Sequence, residues 1–329
     1  MRQETGFLVH RSMLCKVSPI FADMFTLPPS NVNESFEGLP VVQMPDAAEA
    51  LEMFLKILYQ EAALPVKRLD PNTPALVGPL LGLATKYEVE HLRTQVVARL
   101  MEDWPTSLPA WDTLEAEITA MREGWHSRHN CTGPTCDEPL DHHLPEPVAA
   151  IQLAKQYKIP AILPSAFYHL SRLSIEWGPD GTETYPSIQR GRLFMGTRTA
   201  RWKSLPGNDY YNLLAGRTRL QNAAQRHVRG WKFEHVELPG DILAEAGVSD
   251  HEDEGCSRNA RRNMISDLEK AIASHPDVLR TLQTYASFPL HNEPKDVCPR
   301  CVFIVMEKAS ALRKYLWEHL PEFFNIDTI

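Results

Sequence analysis

The chain has 329 residues, enough for two domains, and 43% of them are hydrophobic, which is sufficient for buried cores. Its 34 basic and 42 acidic residues give a net charge of −8, which argues against binding nucleic acid over the whole surface. No apolar run approaches the roughly 18 residues of a membrane span, no signal peptide is evident, and the 6 cysteines are irregularly spaced. We therefore expect a cytoplasmic or nuclear protein with reduced thiols.

Two short helices are predicted on either side of Ser18-Pro19, after a strand over residues 7–10. The Ser18 hydroxyl can cap the second helix, and Pro19 suits its first turn because the missing N–H costs nothing there. Their apolar residues keep helical spacing and predict one buried face, made by Leu14, Val17, Ile20, Phe21, Met24 and Phe25.

Further helices and one short strand are predicted up to about residue 104. A polar loop over 30–38 contains a turn at Glu37-Gly38, and a strand follows over 41–44. Asp46 and Glu49 have the spacing of a capping box and predict the start of the next helix. Two more helices are predicted after Thr73-Pro74 and after the turn at Lys86-Tyr87. The predicted inward residues of these three helices are Ala50, Leu51, Phe54, Leu55, Leu58, Tyr59, Leu76, Val77, Leu80, Leu81, Ala84, Val89, Leu92, Val96, Val97, Leu100 and Met101.

The order of these elements over residues 1–104 resembles a BTB/POZ domain. The resemblance is carried by a set of landmark residues: His10, Leu14, Ser18, Phe21, Met24, Phe25, Phe54, Tyr59 and Tyr87. It implies an α+β fold in which the first two helices pack beneath a small sheet, with His10 in a core or helix-start position. The alternative is a generic α+β domain that contains a Ser-Pro junction.

The chain departs from the BTB/POZ pattern at its start. Such domains usually open with a hairpin, but the residues before His10 leave room for one strand only, since a strand takes about five or six residues. The predicted strand 7–10 would then present an unpaired edge. Either the sequence is a fragment that lacks the first strand, or another strand fills the gap.

The remainder is predicted to be helical, which divides the chain into a BTB/POZ domain (1–104), a connecting region (105–145) and an all-α C-terminal domain (146–329). The connecting region begins with an amphipathic helix and continues as an exposed, Cys- and His-containing linker over 126–144. Pro147 starts a new helix. The pattern of residues 83–89 recurs at 153–159, which indicates either a common way of packing helix pairs or a duplication.

Three features together resemble a family of fungal (basidiomycete-type) BTB-domain proteins. This resemblance implies no particular activity, because none is assigned to that family. The three features are the BTB/POZ region, the segment Ile159-Pro160-Ala161-Ile162-Leu163-Pro164, and an ending with Cys298-Pro299-Arg300-Cys301 and a Leu-Trp-x-x-Leu-Pro-x-x-Phe tail from Leu316. This resemblance covers nearly the whole chain.

The segment 188–232 combines basic and aromatic residues with Asp209 as its single acidic residue. Such a segment can neutralise phosphates and stack on bases, or it can be a solvated helix face or a docking face for an acidic protein. Nucleic-acid binding is the least expected of these, because interspersed leucines indicate an ordinary helix and an acidic run at 250–254 can offset the charge. The basic residues are Arg190, Arg192, Arg198, Arg201, Lys203, Arg217, Arg219, Arg226, Arg229 and Lys232.

Cys298 and Cys301 have the spacing of half a zinc site, and Cys256 is one of the scattered residues that could complete it. A thioredoxin-like redox site would need a βαβ context that the sequence lacks. Structural cysteines are the simpler interpretation, so we expect no cofactor and keep zinc as the alternative. Cys131 and Cys136 form a weaker candidate.

The sequence shows no phosphate-binding loop, nucleophile elbow or zinc-protease motif, so we expect no catalytic residue and no enzyme. The BTB/POZ resemblance implies an adaptor that binds protein partners, as a homo-oligomer or through a cullin-type ubiquitin-ligase scaffold or a transcriptional complex. Its docking groove would lie on the helices of residues 46–101. The alternative is a zinc-stabilised helical module whose basic surface binds nucleic acid or acidic partners.

Overall fold

A computed structural model describes residues 5–27, 35–129, 140–175, 198–232, 258–287 and 299–326. The side chains of residues 125–129, 258–259 and 299 are outside that description. Within these ranges no helix is both long and apolar enough to cross a membrane.

The N-terminal part begins with two short helices, α1 (Arg11–Val17) and α2 (Pro19–Thr26), followed by the strands β1 (Ser35–Phe36) and β2 (Leu39–Pro40). The strands form an antiparallel hairpin in which Ser35 faces Pro40 and Phe36 faces Leu39. The predicted turn at Glu37-Gly38 is confirmed: both residues have positive φ, 51° and 79°, as a two-residue hairpin turn of type I′ requires.

Two predicted strands are wrong. Residues 5–10 and 41–45 have no regular secondary structure, and the hairpin stops at Pro40. Proline has no N–H to donate, which limits the ladder on that side. All four strand residues are exposed, so within the described ranges α1 and α2 do not pack beneath a sheet. Their inward side chains pack among helices instead.

Three longer helices complete the N-terminal part: α3 (Ala48–Leu58), α4 (Thr73–Lys86) and α5 (Glu90–Asp103). The predicted capping role of Asp46 is wrong, because Ala47 occupies the cap position and no side chain caps α3. Leu76, predicted to face inward, is 41% exposed. The other strongly apolar positions of α4 are buried as predicted.

The C-terminal part is helical in the described ranges, which confirms the predicted fold class of an α+β domain followed by an all-α region. The α-helices of these ranges are α6 (Leu108–His129), α7 (Pro147–Gln156), α8 (Leu163–Ser171), α9 (Gly207–Arg229), α10 (Arg258–Ser274), α11 (Val278–Ala286), α12 (Pro299–Glu318) and α13 (Leu320–Phe323). Short 3-10 turns occur at Leu140–His143, Pro160–Ile162 and Trp202–Ser204.

The end of the stretch predicted to be an exposed linker is partly buried, since Leu140 and Leu144 face inward while His142 and His143 are exposed as predicted. Leu140 and Leu144 pack in a small cluster with Leu69, Leu114 and Ile118, which lie on α6 and on the loop before α4. The beginning of that stretch continues α6 as far as His129, and residues 130–139, with Cys131 and Cys136, lie outside the described residues.

One continuous cluster of buried apolar side chains extends from Leu14 to Ile326 and so joins the N-terminal part to the C-terminal helices. The repeated pattern in the sequence lies within it. Glu88 and Lys158 follow α4 and α7 with φ of 50° and 53°. In each case the next residue donates its N–H back into the helix, from Val89 to Ala84 and from Ile159 to Ala154, at 2.8 Å. The repeat is therefore a shared helix-ending motif that satisfies terminal carbonyls.

Candidate functional site

The junction between α1 and α2 is fixed by Ser18, as the sequence predicts. Its hydroxyl oxygen accepts from the Phe21 N–H at 3.1 Å and its O–H donates to the Tyr87 carbonyl at 2.5 Å. The Phe21 ring stacks on the Tyr87 ring with centroids 4.5 Å apart. The α1–α2 pair is thereby attached to the end of α4, and these landmarks belong to one packed unit.

The other landmarks surround this junction. Leu14 and Phe54 are buried, whereas Met24, Phe25 and Tyr59 are half-buried against the same core. His10 is exposed and stands immediately before α1, which agrees with a helix-start position rather than a core position. Its backbone N–H donates to the Tyr59 hydroxyl at 2.6 Å, which ties the extended segment 5–10 to the end of α3.

Asp46 joins the segment before α3 to the end of α4. Its carboxylate accepts from Lys86 Nζ at 2.7 Å and from the Tyr87 hydroxyl at 2.5 Å. Burial by itself raises the pKa of Asp46, but the hydrogen bonds from Lys86 and Tyr87 outweigh it and the pKa lies below its ordinary value. The carboxylate is therefore ionised and orients the chain that leads away from the hairpin.

Several large apolar side chains project into solvent from the hairpin, from residues 41–42 that follow it, and from the N-terminal segment 5–9. We call this set the edge residues: Leu8, Phe36, Leu39, Val41 and Val42. They are between 43% and 86% exposed. In the part of the chain that the structure describes, the backbones of residues 5–9 and 41–42 form no backbone–backbone hydrogen bond. Among the described residues, these segments therefore present amides without a backbone partner, together with exposed apolar side chains.

An open cleft of about 420 Å³ lies between the end of α3 and α5. Apolar and amide side chains form most of its wall, and Glu61 is its one carboxylate. The cleft thus lacks the convergent titratable groups of a catalytic pocket, and its chemistry suits an apolar side chain from another protein. The lining residues are Ile57, Gln60, Glu61, Ala62, Ala63, Leu64 and Gln95.

The zinc candidates are not brought together in the described residues. Cys301 is buried on α12, and Cys298 and Cys256 lie outside the part that the structure describes. No group of three or more His, Cys, Asp or Glu side chains in the described ranges could hold a metal ion. A zinc site over these cysteines stays a prediction that the described residues do not test.

Some charged residues of the predicted basic segment form buried ion pairs within the protein and do not contribute to a basic surface. Arg198 is mostly buried and its Nε donates to Asp141 Oδ1 at 2.8 Å, next to the buried end of the connecting region. Asp209, the single acidic residue of the segment, is buried and pairs with Lys155. The exposed basic residues lie mainly on α9, and Arg190 and Arg192 are outside the described residues.

A buried polar network, which sequence patterning does not reveal, holds α6, α8 and α11 together. Arg172, just after α8, donates to Glu115 of α6 at 2.8 and 2.9 Å and to Asp277, before α11, at 2.7 Å. The Tyr168 hydroxyl donates to the other oxygen of Asp277 at 2.7 Å and accepts from the Leu279 N–H at 2.9 Å. Every charge in this network therefore has a partner.

The pKa values in the network follow from burial and charge. Burial raises the pKa of Asp277, but the Arg172 charge and the Tyr168 hydroxyl outweigh it and the pKa is lowered. Burial lowers the pKa of His169 well below its ordinary value, and the charges of Arg198 and Arg172 lower it further. His169 is therefore neutral in the folded protein near pH 7.

Comparison with known proteins identifies the N-terminal part. Residues 1–103 match the BTB/POZ domain family. No curated protein and no solved structure matches the chain. The matched region ends at the end of α5, so it contains the α1–α2 junction, the edge residues and the open cleft.

Proposed function

Because residues 1–103 form a BTB/POZ domain, a module that generally binds other proteins, we propose that this protein is an adaptor that self-associates through its edge residues. The observation that supports this most directly is the exposure of five large apolar side chains. Leu8, Val41 and Val42 lie in segments whose backbone has no backbone hydrogen-bond partner among the described residues, and Phe36 and Leu39 lie on the hairpin. Exposed apolar side chains and unpaired strand-like backbone are both features of interaction surfaces. A location in the cytoplasm or nucleus and membership of the fungal BTB family are part of the same proposal.

Strand addition between two copies is the mode of association that these segments favour. Added strands gain affinity from main-chain hydrogen bonds and specificity from alternate side chains. Residues 5–9 and 39–45 contain no Asp, Glu, Lys or Arg, so two copies can approach without repulsion between like charges. The same composition makes a highly charged partner strand less suitable at this edge.

Replacing Leu8 and Val41 with Lys is expected to convert a self-associated chain into a monomer, because buried charges oppose strand pairing. Sedimentation velocity on the full chain measures the change. Leu76→Lys is the control, since Leu76 is 41% exposed, close to the 43% of Val41, but lies on α4. A wild-type chain that is monomeric at every concentration tested, or a double variant that associates as the wild type does, would contradict the proposal.

A cullin-type scaffold is the partner that we propose for the open cleft. Its mixed apolar and amide lining suits a helix that inserts one apolar side chain. A transcriptional complex is the other partner class that the BTB/POZ resemblance implies, but no described residue favours it. The cleft is separate in sequence from the edge residues, so self-association and scaffold binding can be tested separately.

Ala63→Arg is expected to weaken binding of a purified cullin N-terminal domain at least about tenfold, a loss of about 1.4 kcal/mol, because the guanidinium fills the cleft. Ala63 is exposed, so the fold should tolerate the change. Isothermal titration calorimetry measures the affinity, and Ala75→Arg on the exposed side of α4 is the control. Equal binding by both variants, or none by the wild type, rejects the cleft as a scaffold site and leaves the edge proposal intact.

A further inference from the structure

Helix α9 carries a row of exposed residues on the side opposite its packed face. This row, here called the outer stripe, has spacings of three and four residues and so follows one face of the helix. Its members are Tyr211, Leu214, Thr218, Asn222, Arg226 and Arg229. The opposite face is packed closely: a Cβ on Gly216 would lie 2.1 Å from the Phe324 ring. Gly216 thus lies on the buried face of α9, and the stripe lies on its exposed side.

The outer stripe is apolar at one end and basic at the other. Tyr211 and Leu214 are 67% and 58% exposed. Arg226 lies 12 residues beyond Leu214, which is about 18 Å at 1.5 Å per residue. The helix dipole favours cations near the C-terminus of α9, but it gives no reason to expose two large apolar side chains near the other end.

In the described residues, the positive charge of α9 is only partly compensated by acidic side chains. Asp209, its only acidic residue, is buried against Lys155. Arg229 pairs with Glu269, but in the described ranges neither Arg217 nor Arg226 forms a salt bridge. A chain of net charge −8 thus has a helix whose exposed charges are basic.

We propose that the outer stripe binds an acidic amphipathic helical segment of a partner protein. The apolar side of that segment would cover Tyr211 and Leu214, and its carboxylates would reach Arg226. Tyr and Arg are residue types enriched among the energetic centres of protein interfaces. A nucleic acid is the less suitable ligand, because electrostatic affinity for it depends on how many phosphates the cations neutralise and the stripe has two cations. This surface belongs to the C-terminal part and does not depend on the proposed roles of the BTB/POZ domain.

The test is a selection of helical peptides of about 16 residues, roughly 24 Å long, displayed on phage against the full chain. We expect peptides with apolar residues at one end and Asp or Glu at the other. A synthetic copy of the best peptide should bind the double variant Tyr211→Ser, Leu214→Ser at least about tenfold more weakly. Arg226→Gln should weaken binding about threefold to tenfold and reduce its salt dependence. The residues changed in these variants (Tyr211, Leu214 and Arg226) and in the control variant of the next paragraph (Lys270) are all exposed. A thermal unfolding curve therefore suffices to check that each variant is folded.

Lys270→Gln, which changes an exposed cation on α10, is the matched charge control and should bind as the wild type does. Three outcomes of the selection and the binding measurements overturn the proposal. These are no enriched peptide, enriched peptides without acidic residues, or acidic peptides that all variants bind equally. Displacement of the peptide by a mixed-sequence DNA duplex, with steep salt dependence, would also overturn it and assign the stripe to nucleic acid. None of these outcomes bears on self-association through the edge residues.

Discussion

Replacing Arg172 with Met is expected to lower the free energy of unfolding by about 3 to 5 kcal/mol, because it leaves two carboxylates inside the protein without a cation. The Arg172 side chain is only 10% exposed, and its partners Glu115 and Asp277 are 24% and 21% exposed. The guanidinium also lies over the Trp111 ring, with Cζ 4.8 Å from the centroid, so packing is lost with the charge. Urea denaturation of the full chain measures the loss.

Two further variants test whether the loss of stability comes from the unpaired buried charges or would follow from breaking any ion pair. Lys270→Met breaks the exposed pair with Asp267 and should change the free energy of unfolding by less than about 1 kcal/mol. Adding Glu115→Gln and Asp277→Asn to Arg172→Met should recover part of the loss, because the uncompensated charges are then gone. A loss of under about 1 kcal/mol in Arg172→Met would show that the network does not hold the three helices together.

The second large effect is acid destabilisation through His169. Its Nδ1 lies 2.7 Å from Arg172 Nη2, an arrangement in which Nδ1 accepts and the proton resides on Nε2. The Nε2 atom is buried without a hydrogen-bond partner in the described residues, and the Trp104 and Trp111 rings approach the imidazole edge-on at 5.8 and 6.3 Å. A protonated imidazole here would face Arg172 and Arg198 without an added anion.

The direction of the pH dependence follows from the lowered pKa of His169. Above about pH 6.5 the side chain is neutral in the folded and unfolded states, and it contributes no pH dependence. Below that pH the unfolded chain binds a proton that the folded protein excludes. The free energy of unfolding should therefore fall by up to about 1.4 kcal/mol per pH unit until the pH reaches the lowered pKa.

The variant His169→Asn keeps a hydrogen-bond acceptor near the position of Nδ1 but has no imidazole to protonate. The free energy of unfolding of this variant should therefore depend less on pH between about 6.5 and 5. That interval lies above the range where most carboxylates titrate. Urea midpoints at several pH values measure the slope. His91→Asn, at an exposed position of α5, should retain the wild-type slope. Identical slopes for the wild type and His169→Asn would mean that the buried imidazole does not oppose protonation.

Local chemistry explains why much of the N-terminal part is predictable. Ser18-Pro19 specifies a cap and a first helical turn within four residues, and Glu37-Gly38 specifies a two-residue turn. The buried positions of α3 to α5 follow the apolar period, apart from Leu76. The predictions that failed depend on a distant partner: Asp46 binds Lys86 and Tyr87 instead of capping α3, and residues 7–10 have no strand beside them in the described ranges.

The sequence by itself therefore determined the helices, the turns and the BTB/POZ identity of residues 1–103, because each depends on residues a few positions apart. Only the tertiary structure decided which charges became buried partners, since Arg172 and Asp277 are separated by 105 residues and no periodicity relates them. It also decided which apolar residues stay exposed. Leu8, Val41, Tyr211 and Leu214 resemble core residues in sequence, and the packing of the described chain leaves them facing solvent.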